Sequence, residues 1–156
     1  MVVLKNRLVA TGNRYGKPDK TKVQYRITPN TMIDHLLLLL CGLHSIAFAV
    51  FHLFFWKLLH WNTDLKNLGS INRGVMQILN IQLIFIFLTI GGLCLYFGAE
   101  LKTSNPGRFM LGAMAVFWLL RLVQQFIFLK QHHWAMLLLT GMFLLGAGLF
   151  AFAVFL

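Results

Sequence analysis

The chain has little charge, and acidic charge is the scarcest. Only four of its 156 residues are Asp or Glu, and charged residues make up 12% of the chain, about half their share in a soluble domain. Three of the carboxylates, Asp34, Asp64 and Glu100, lie at the ends of apolar runs. Proton pumps use relays of Asp, Glu and His at membrane depth. The sequence therefore disfavours a pump or antiporter of the usual kind.

Cysteine is almost as scarce. Cys41 and Cys94 both lie inside apolar runs, and no CxxC spacing occurs. We therefore expect two buried thiols rather than a disulfide or a metal site. The first residues, MVVLKNRLVATGNRYGK, lack the apolar segment of a secretory signal, so we do not interpret them as one.

Apolar residues, in contrast, make up 58% of the chain. They form four continuous runs of the length that a helix needs to cross a hydrocarbon core about 30 Å thick. The runs do not alternate with polar residues as the strands of a membrane barrel do. The sequence therefore predicts an all-α integral membrane protein, a four-transmembrane-helix bundle that forms one domain over residues 32–156. The predicted helices are 32–58, 74–99, 109–129 and 134–156.

Basic residues give the predicted direction of insertion. The net charge is +10, and seven Lys or Arg residues lie in the segment 1–31, which we interpret as a basic cytoplasmic N-terminal arm beside anionic lipid. Counting Lys102 and Arg108, nine basic residues lie on that side, against four on the other. We expect the chain to lie in a plasma membrane such as the bacterial inner membrane, with both termini in the cytoplasm. We expect its partners to be membrane lipids rather than nucleic acid.

Local signals predict where several helices begin. Thr31 and Asp34 in PNTMID have the spacing of a capping box for the first helix. Asn105 and Pro106 in TSNPGR are typical of a turn followed by a helix start. In the longest inter-helix connection, Asn62 or Thr63 is expected to begin a short surface helix.

Polar residues interrupt three of the four apolar runs. Arg121, Gln124 and Gln125 have helical spacing that gives them a common face. Arg73, Gln77 and Asn80 form a second stripe, and His52, Trp56 and His60 a third. Rough depths of about 6–12 Å below the outer helix ends predict that the three stripes meet in the outer half of the bilayer. The predicted ligand-binding residues are Arg121, Gln124, Gln125, His52, Gln77, Asn80 and Trp56.

Arg121 is the centre of this prediction because no carboxylate at its depth can neutralise it. An Arg at the middle of a membrane helix costs about 2.5–3.5 kcal/mol on insertion scales. Three interpretations remain open. The side chain snorkels outward while the amides join helices, or it binds an anionic or carbonyl-bearing group such as a lipid phosphate or a quinone oxygen. In the third, a carboxylate of another chain pairs with it.

The six histidines raise the question of a metal. His60, Asp64, His132 and His133 are expected near the outer surface and are candidate zinc ligands, although no HxxxH or HExxH motif occurs. His44 and His52 lie on one predicted helix, so a haem between two helices would need a second copy. Whether the outer histidines bind a metal therefore stays open. We predict no resident cofactor, and consider a bound lipid or quinone a candidate ligand.

The sequence leaves three classes of function. We favour a non-catalytic membrane protein that binds a lipid-like ligand or a partner subunit around Arg121. A small oligomeric transporter or channel would use the same residues to line a polar path. A membrane-embedded enzyme acting on a lipid-linked substrate would use His52 as general base and Arg121 to hold a phosphate. Small residues of the last run, such as Ala147 and Ala151, serve packing within the bundle or self-association.

Overall fold

The computed structural model describes residues 29–129 and 134–155, and these ranges contain helices and no strand. The predicted N-terminal arm falls outside them as far as residue 28. The helices are α1 (Pro29–Leu53), α2 (Phe55–Leu58), α3 (Trp61–Asp64), α4 (Ser70–Tyr96), α5 (Gly98–Thr103), α6 (Asn105–Phe128) and α7 (Trp134–Phe155), with a 3-10 turn at Leu65–Asn67.

Four of these helices, α1, α4, α6 and α7, are long and apolar enough to cross a membrane. They correspond to the four predicted runs, so the prediction of four candidate spans in an all-α chain is confirmed. Each has 20 or more residues in its apolar segment, which is the length that a hydrocarbon core requires.

The first apolar run, predicted as one helix to about residue 58, is interrupted in the structure. Helix α1 ends at Leu53, and the chain then turns through α2 and α3. The side chain of Trp61 is buried there and lies against Phe55, with ring centroids 5.8 Å apart. Hydropathy could not show this break because the residues on both sides of it are apolar.

Two predicted helix starts have different outcomes. Helix α1 already begins at Pro29, so the capping box is wrong, and Asp34 instead pairs with Lys102 of α5 at 2.9 Å. Helix α6 begins at the predicted Asn105–Pro106 signal, where the Ser104 hydroxyl accepts a hydrogen bond from the Gly107 amide at 3.1 Å.

The long helices pack around a shared aromatic core. Helix α1 contacts both α4 and α7, and α6 contacts α7 along much of its length. Trp118 of α6 lies parallel to Phe87 of α4, with centroids 5.4 Å apart, and this stacking links α4 to α6. The order around the core is therefore α4, α1, α7 and α6, which the sequence alone did not give.

Glycine allows close approach at two of these helix contacts. A Cβ atom at Gly91 of α4 would lie 3.2 Å from the Gly42 carbonyl oxygen of α1. A Cβ at Gly146 of α7 would lie 2.5 Å from the His44 ring and 2.9 Å from Trp118. These glycines therefore serve packing within the chain, one of the two roles that the sequence left open for small residues.

Candidate functional site

The structure divides the predicted ligand-binding residues between two helix pairs. His52 and Asn80 meet between α1 and α4, and we call them the α1–α4 polar pair. Arg121, Gln124 and Gln125 lie on α6 next to α7, and we call them the Arg121 group. Gln77 and Trp56 belong to neither set of contacts.

The α1–α4 polar pair is buried and is held by backbone carbonyl groups. His52 Nδ1 lies 2.8 Å from the Phe48 carbonyl oxygen, which can only accept, so Nδ1 carries the proton and donates. Asn80 Nδ2 donates to the His52 carbonyl oxygen across the helix contact at 3.2 Å. Both side chains are at most 5% exposed. The pair therefore joins α1 to α4, and the buried Asn80 Oδ1 has no hydrogen-bond partner among the described residues.

Arg121 is in a different environment, because it is charged and half-buried. Its Nη1 donates to Gln124 Oε1 at 3.1 Å, and its Cζ lies 5.6 Å from the centre of the Phe143 ring, within the range of a cation–π contact. In the described ranges the single ion pair joins Asp34 to Lys102, so no carboxylate there neutralises Arg121.

Gln125 faces α7 rather than the other polar helices. Its Nε2 donates to the Met136 carbonyl oxygen at 2.8 Å and to the Thr140 hydroxyl at 2.9 Å, and its side chain is 5% exposed. The exposed Gln124 is its neighbour in sequence. Consecutive residues of a helix are about 100° apart around the axis, so the two amides flank Arg121 and meet different surroundings.

The three predicted stripes do not merge into one hydrogen-bonded cluster in the part of the chain that the structure describes. No hydrogen bond between described residues connects the α1–α4 polar pair to the Arg121 group. Gln77 is half-buried, and no hydrogen bond joins its side-chain amide to another described residue. The helix break between Leu53 and Phe55 interrupts the predicted His52–Trp56–His60 stripe. The Trp56 ring instead packs on Trp61, with ring centroids 4.9 Å apart. A binding role for these residues stays a prediction.

The candidate zinc ligands are only partly described. His60 is exposed, with a left-handed backbone at φ 48°, and Asp64 Oδ1 accepts a hydrogen bond from Thr63 at 3.3 Å. His132 and His133 lie outside the described residues. Within the described ranges no three His, Cys, Asp or Glu side chains come together. The zinc hypothesis therefore stays untested.

Sequence reasoning missed the polar contacts that α7 makes in the core. His44 Nε2 donates to the Met142 carbonyl oxygen at 3.0 Å, and its ring meets Trp118 edge-on at 4.7 Å. Thr140, the partner of Gln125, was also missed. It is the one hydroxyl residue of the apolar helix α7, which is a signal that could have identified α7 as the neighbour of Gln125.

Comparison of the chain with protein families, with curated proteins and with solved structures finds no match.

Proposed function

We propose that the chain is an integral membrane protein whose four long helices form a transmembrane bundle. The outward faces of these helices support this, because Leu36, Ile81, Phe126 and Leu137 are each more than half exposed, and such large apolar surfaces are stable in lipid rather than in water. The excess of basic residues on one side favours cytoplasmic termini. The proposed location is the plasma membrane, such as a bacterial inner membrane.

Within that membrane, the proposed role is non-catalytic binding of a lipid-like anion at the Arg121 group. One observation carries this proposal. The Arg121 guanidinium is held by Gln124 and Phe143, yet no carboxylate of the described residues pairs with it. A guanidinium has five N–H donors, and its planar fork matches the two oxygens of a phosphate or carboxylate.

The position of Arg121 along α6 is compatible with a lipid headgroup. Helix α6 ends at Phe128, seven residues further on, which corresponds to about 10 Å along the axis. Arg121 bonds to Gln124, which lies about one turn closer to that end. This bond favours a conformation in which the Arg121 side chain extends towards the end of α6. A long Arg side chain extends several ångströms towards the interface in this way, so its charged end can meet a phosphate of the outer leaflet.

Neither alternative class has equal support. Phe48, Phe87, Trp118 and Phe143 fill the interior between the helices, so a transport path would have to run between copies of the chain. As a general base, His52 would usually act with a nucleophile or metal. Its Nδ1 is oriented by the Phe48 carbonyl oxygen, but no hydrogen bond joins its ring to a nucleophile among the described residues. The best-supported function is therefore binding of a lipid-like ligand, with a partner subunit's carboxylate as the other group that would satisfy Arg121.

The experiment is native mass spectrometry of the full chain released from bilayers of mixed phosphatidylglycerol and phosphatidylethanolamine. We expect the wild type to retain the anionic phosphatidylglycerol preferentially. Loss of one charge-assisted contact in Arg121→Gln should lower that retention about tenfold, whereas Arg121→Lys should keep part of it. Arg73→Gln is the matched control, because the Arg73 guanidinium already donates to the Lys66 and Leu68 carbonyl oxygens.

The result that would overturn the proposal is equal phosphatidylglycerol retention by the wild type and Arg121→Gln. If the wild type instead carries a protein partner that Arg121→Gln loses, the same donors bind a carboxylate of that partner and the lipid is not the ligand.

A further inference from the structure

Gln82 is a polar residue in the middle of an outward-facing apolar surface. It lies twelve residues after the start of α4 at Ser70, about 18 Å along the helix and close to the midpoint of the candidate span. Its side chain is exposed, and no hydrogen bond joins its amide to another described residue. If α4 crosses a membrane, as proposed above, this amide faces hydrocarbon.

Lipid chains can neither donate nor accept hydrogen bonds. An amide exposed to them is therefore unfavourable, and amide side chains promote contact between membrane helices because a second helix supplies the missing partners. Gln82 thus indicates that this face of α4 is covered by another protein surface.

The residues around Gln82 have the spacing of a helix–helix seam. Their spacing alternates between three and four residues, which is the a and d pattern of a coiled coil. The members, which we call the α4 seam, are Val75, Ile78, Gln82, Phe85, Thr89, Gly92 and Tyr96.

The α4 seam is accessible along its whole length. Val75, Ile78, Phe85 and Tyr96 are 48–83% exposed, and a Cβ atom added at Gly92 would meet nothing within 4 Å. The neighbouring face of another helix therefore has room to approach.

The opposite side of α4 is the side that packs inside the chain. Asn80, Phe87 and Cys94 also recur every seven residues, and each is at most 3% exposed. They lie roughly half a turn around the helix from the middle of the α4 seam. Helix α4 therefore has one buried stripe and one free stripe. Thr89 satisfies its own hydroxyl by donating to the Phe85 carbonyl oxygen at 2.9 Å, which leaves Gln82 as the group that needs a partner.

We propose that the α4 seam binds the α4 seam of a second copy of this chain. An amide is self-complementary because it has both donors and an acceptor. Identical chains inserted in the same direction are related by an axis normal to the membrane, so their α4 helices run parallel and equivalent residues meet. Gln82 of one chain then pairs with Gln82 of the partner subunit.

The first test is disulfide crosslinking, in liposomes, of full-chain variants that each add one cysteine. Ile78→Cys places a thiol in the α4 seam. Met76→Cys places a thiol on the same turn of α4, at a position that is also exposed but lies outside the seam. Cys41 and Cys94 are buried, so the wild type serves as an unreactive background. We expect covalent dimer from Ile78→Cys at least several times faster than from Met76→Cys. Equal rates would overturn the proposal.

The second test measures the dimer fraction by single-molecule photobleaching of labelled chains in liposomes. Gln82→Leu should weaken dimerisation about three- to tenfold, the effect of losing an amide pair in a membrane, while the neighbouring change Ile81→Leu should not. An unchanged dimer fraction in Gln82→Leu would overturn the proposal.

Flotation of the chain with the liposomes separates this inference from the membrane proposal on which it rests. A chain that fails to float contradicts membrane insertion. A chain that floats but stays monomeric contradicts only the α4 seam.

Discussion

The α1–α4 polar pair and Arg121 look alike in sequence but have opposite environments in the structure. His52 and Asn80 are neutral, at most 5% exposed, and bonded to backbone carbonyl groups. Arg121 is charged and half-buried, and its hydrogen-bond partner is an exposed amide. In the α1–α4 polar pair, hydrogen bonds hold two helices together. In Arg121, N–H donors remain that a group outside the described residues could accept from. A polar residue in an apolar helix is therefore best judged by its partners.

Trp118 provides the largest test, because it lies between the two regions. Its ring contacts Phe48 at 4.5 Å and Phe87 at 5.4 Å, so it joins α6 to both α1 and α4. Trp118→Ala should lower the free energy of unfolding in detergent by about 3–5 kcal/mol, as is typical of a large buried side chain. The exposed Phe126 of the same helix is the control, and Phe126→Ala should have little effect. A loss of under about 1 kcal/mol in Trp118→Ala would mean that the two regions are not coupled through this ring.

Gln125→Leu should have the next largest effect. This residue belongs to the Arg121 group by sequence but resembles the α1–α4 polar pair in its burial and its bonds at 2.8 and 2.9 Å. Its loss should reduce the free energy of unfolding by about 1–1.7 kcal/mol, the upper part of the range for amides between membrane helices. Thr140→Val, which removes one of the two acceptors, should give part of this loss. A Gln125→Leu chain as stable as the wild type would show that Gln125 does not hold α6 to α7.

Asn80→Leu should destabilise the chain less, by about 0.6 kcal/mol. Its amide donates one bond, to the His52 carbonyl oxygen at 3.2 Å, whereas Gln125 donates two shorter bonds. Both substitutions also remove a buried amide oxygen that has no partner among the described residues, which offsets part of each loss. The same unfolding measurement, repeated with Asn80→Asp, checks this account. A buried carboxylate there should destabilise more than leucine does. The reverse order would contradict the buried, neutral character of the α1–α4 polar pair.

Arg121→Gln should change stability least and ligand retention most. Loss of the Phe143 contact costs at most about 0.5–1 kcal/mol. Removal of a charge that no described carboxylate neutralises acts in the opposite direction in a proposed membrane segment. We expect an unfolding free energy close to that of the wild type, measured in detergent without added lipid. A loss as large as that of Gln125→Leu would instead make Arg121 a structural residue and remove the contrast between the two regions.

The number and type of the long helices could be predicted because hydropathy and length decide them. Their ends depended on features that hydropathy does not register. Apolar residues lie directly on both sides of the position where α1 ends at Leu53, and the buried position of Trp61 beyond it is a tertiary contact. Asp34 has capping-box spacing, yet it pairs with Lys102, a contact between segments far apart in sequence.

The candidate site was predictable only as a set of residues. Spacing placed Arg121, Gln124 and Gln125 on one side of a helix, but the identity of the neighbouring helix decides what each one meets. Gln125 bonds to α7 because α7 packs against α6, and that order depends on contacts such as Gly146 with His44 and Trp118. No periodicity within one helix contains this information.

The central claim, that Arg121 binds an anion from outside the chain, is tested most directly by a distance measurement in bilayers. Solid-state NMR can detect dipolar coupling between lipid ³¹P and the ¹⁵N-labelled guanidinium groups of the full chain in phosphatidylglycerol membranes. We predict a guanidinium signal coupled to phosphorus at hydrogen-bonding distance that disappears in Arg121→Gln and persists in Arg73→Gln. A spectrum in which Arg121→Gln removes no phosphorus-coupled signal would contradict the account.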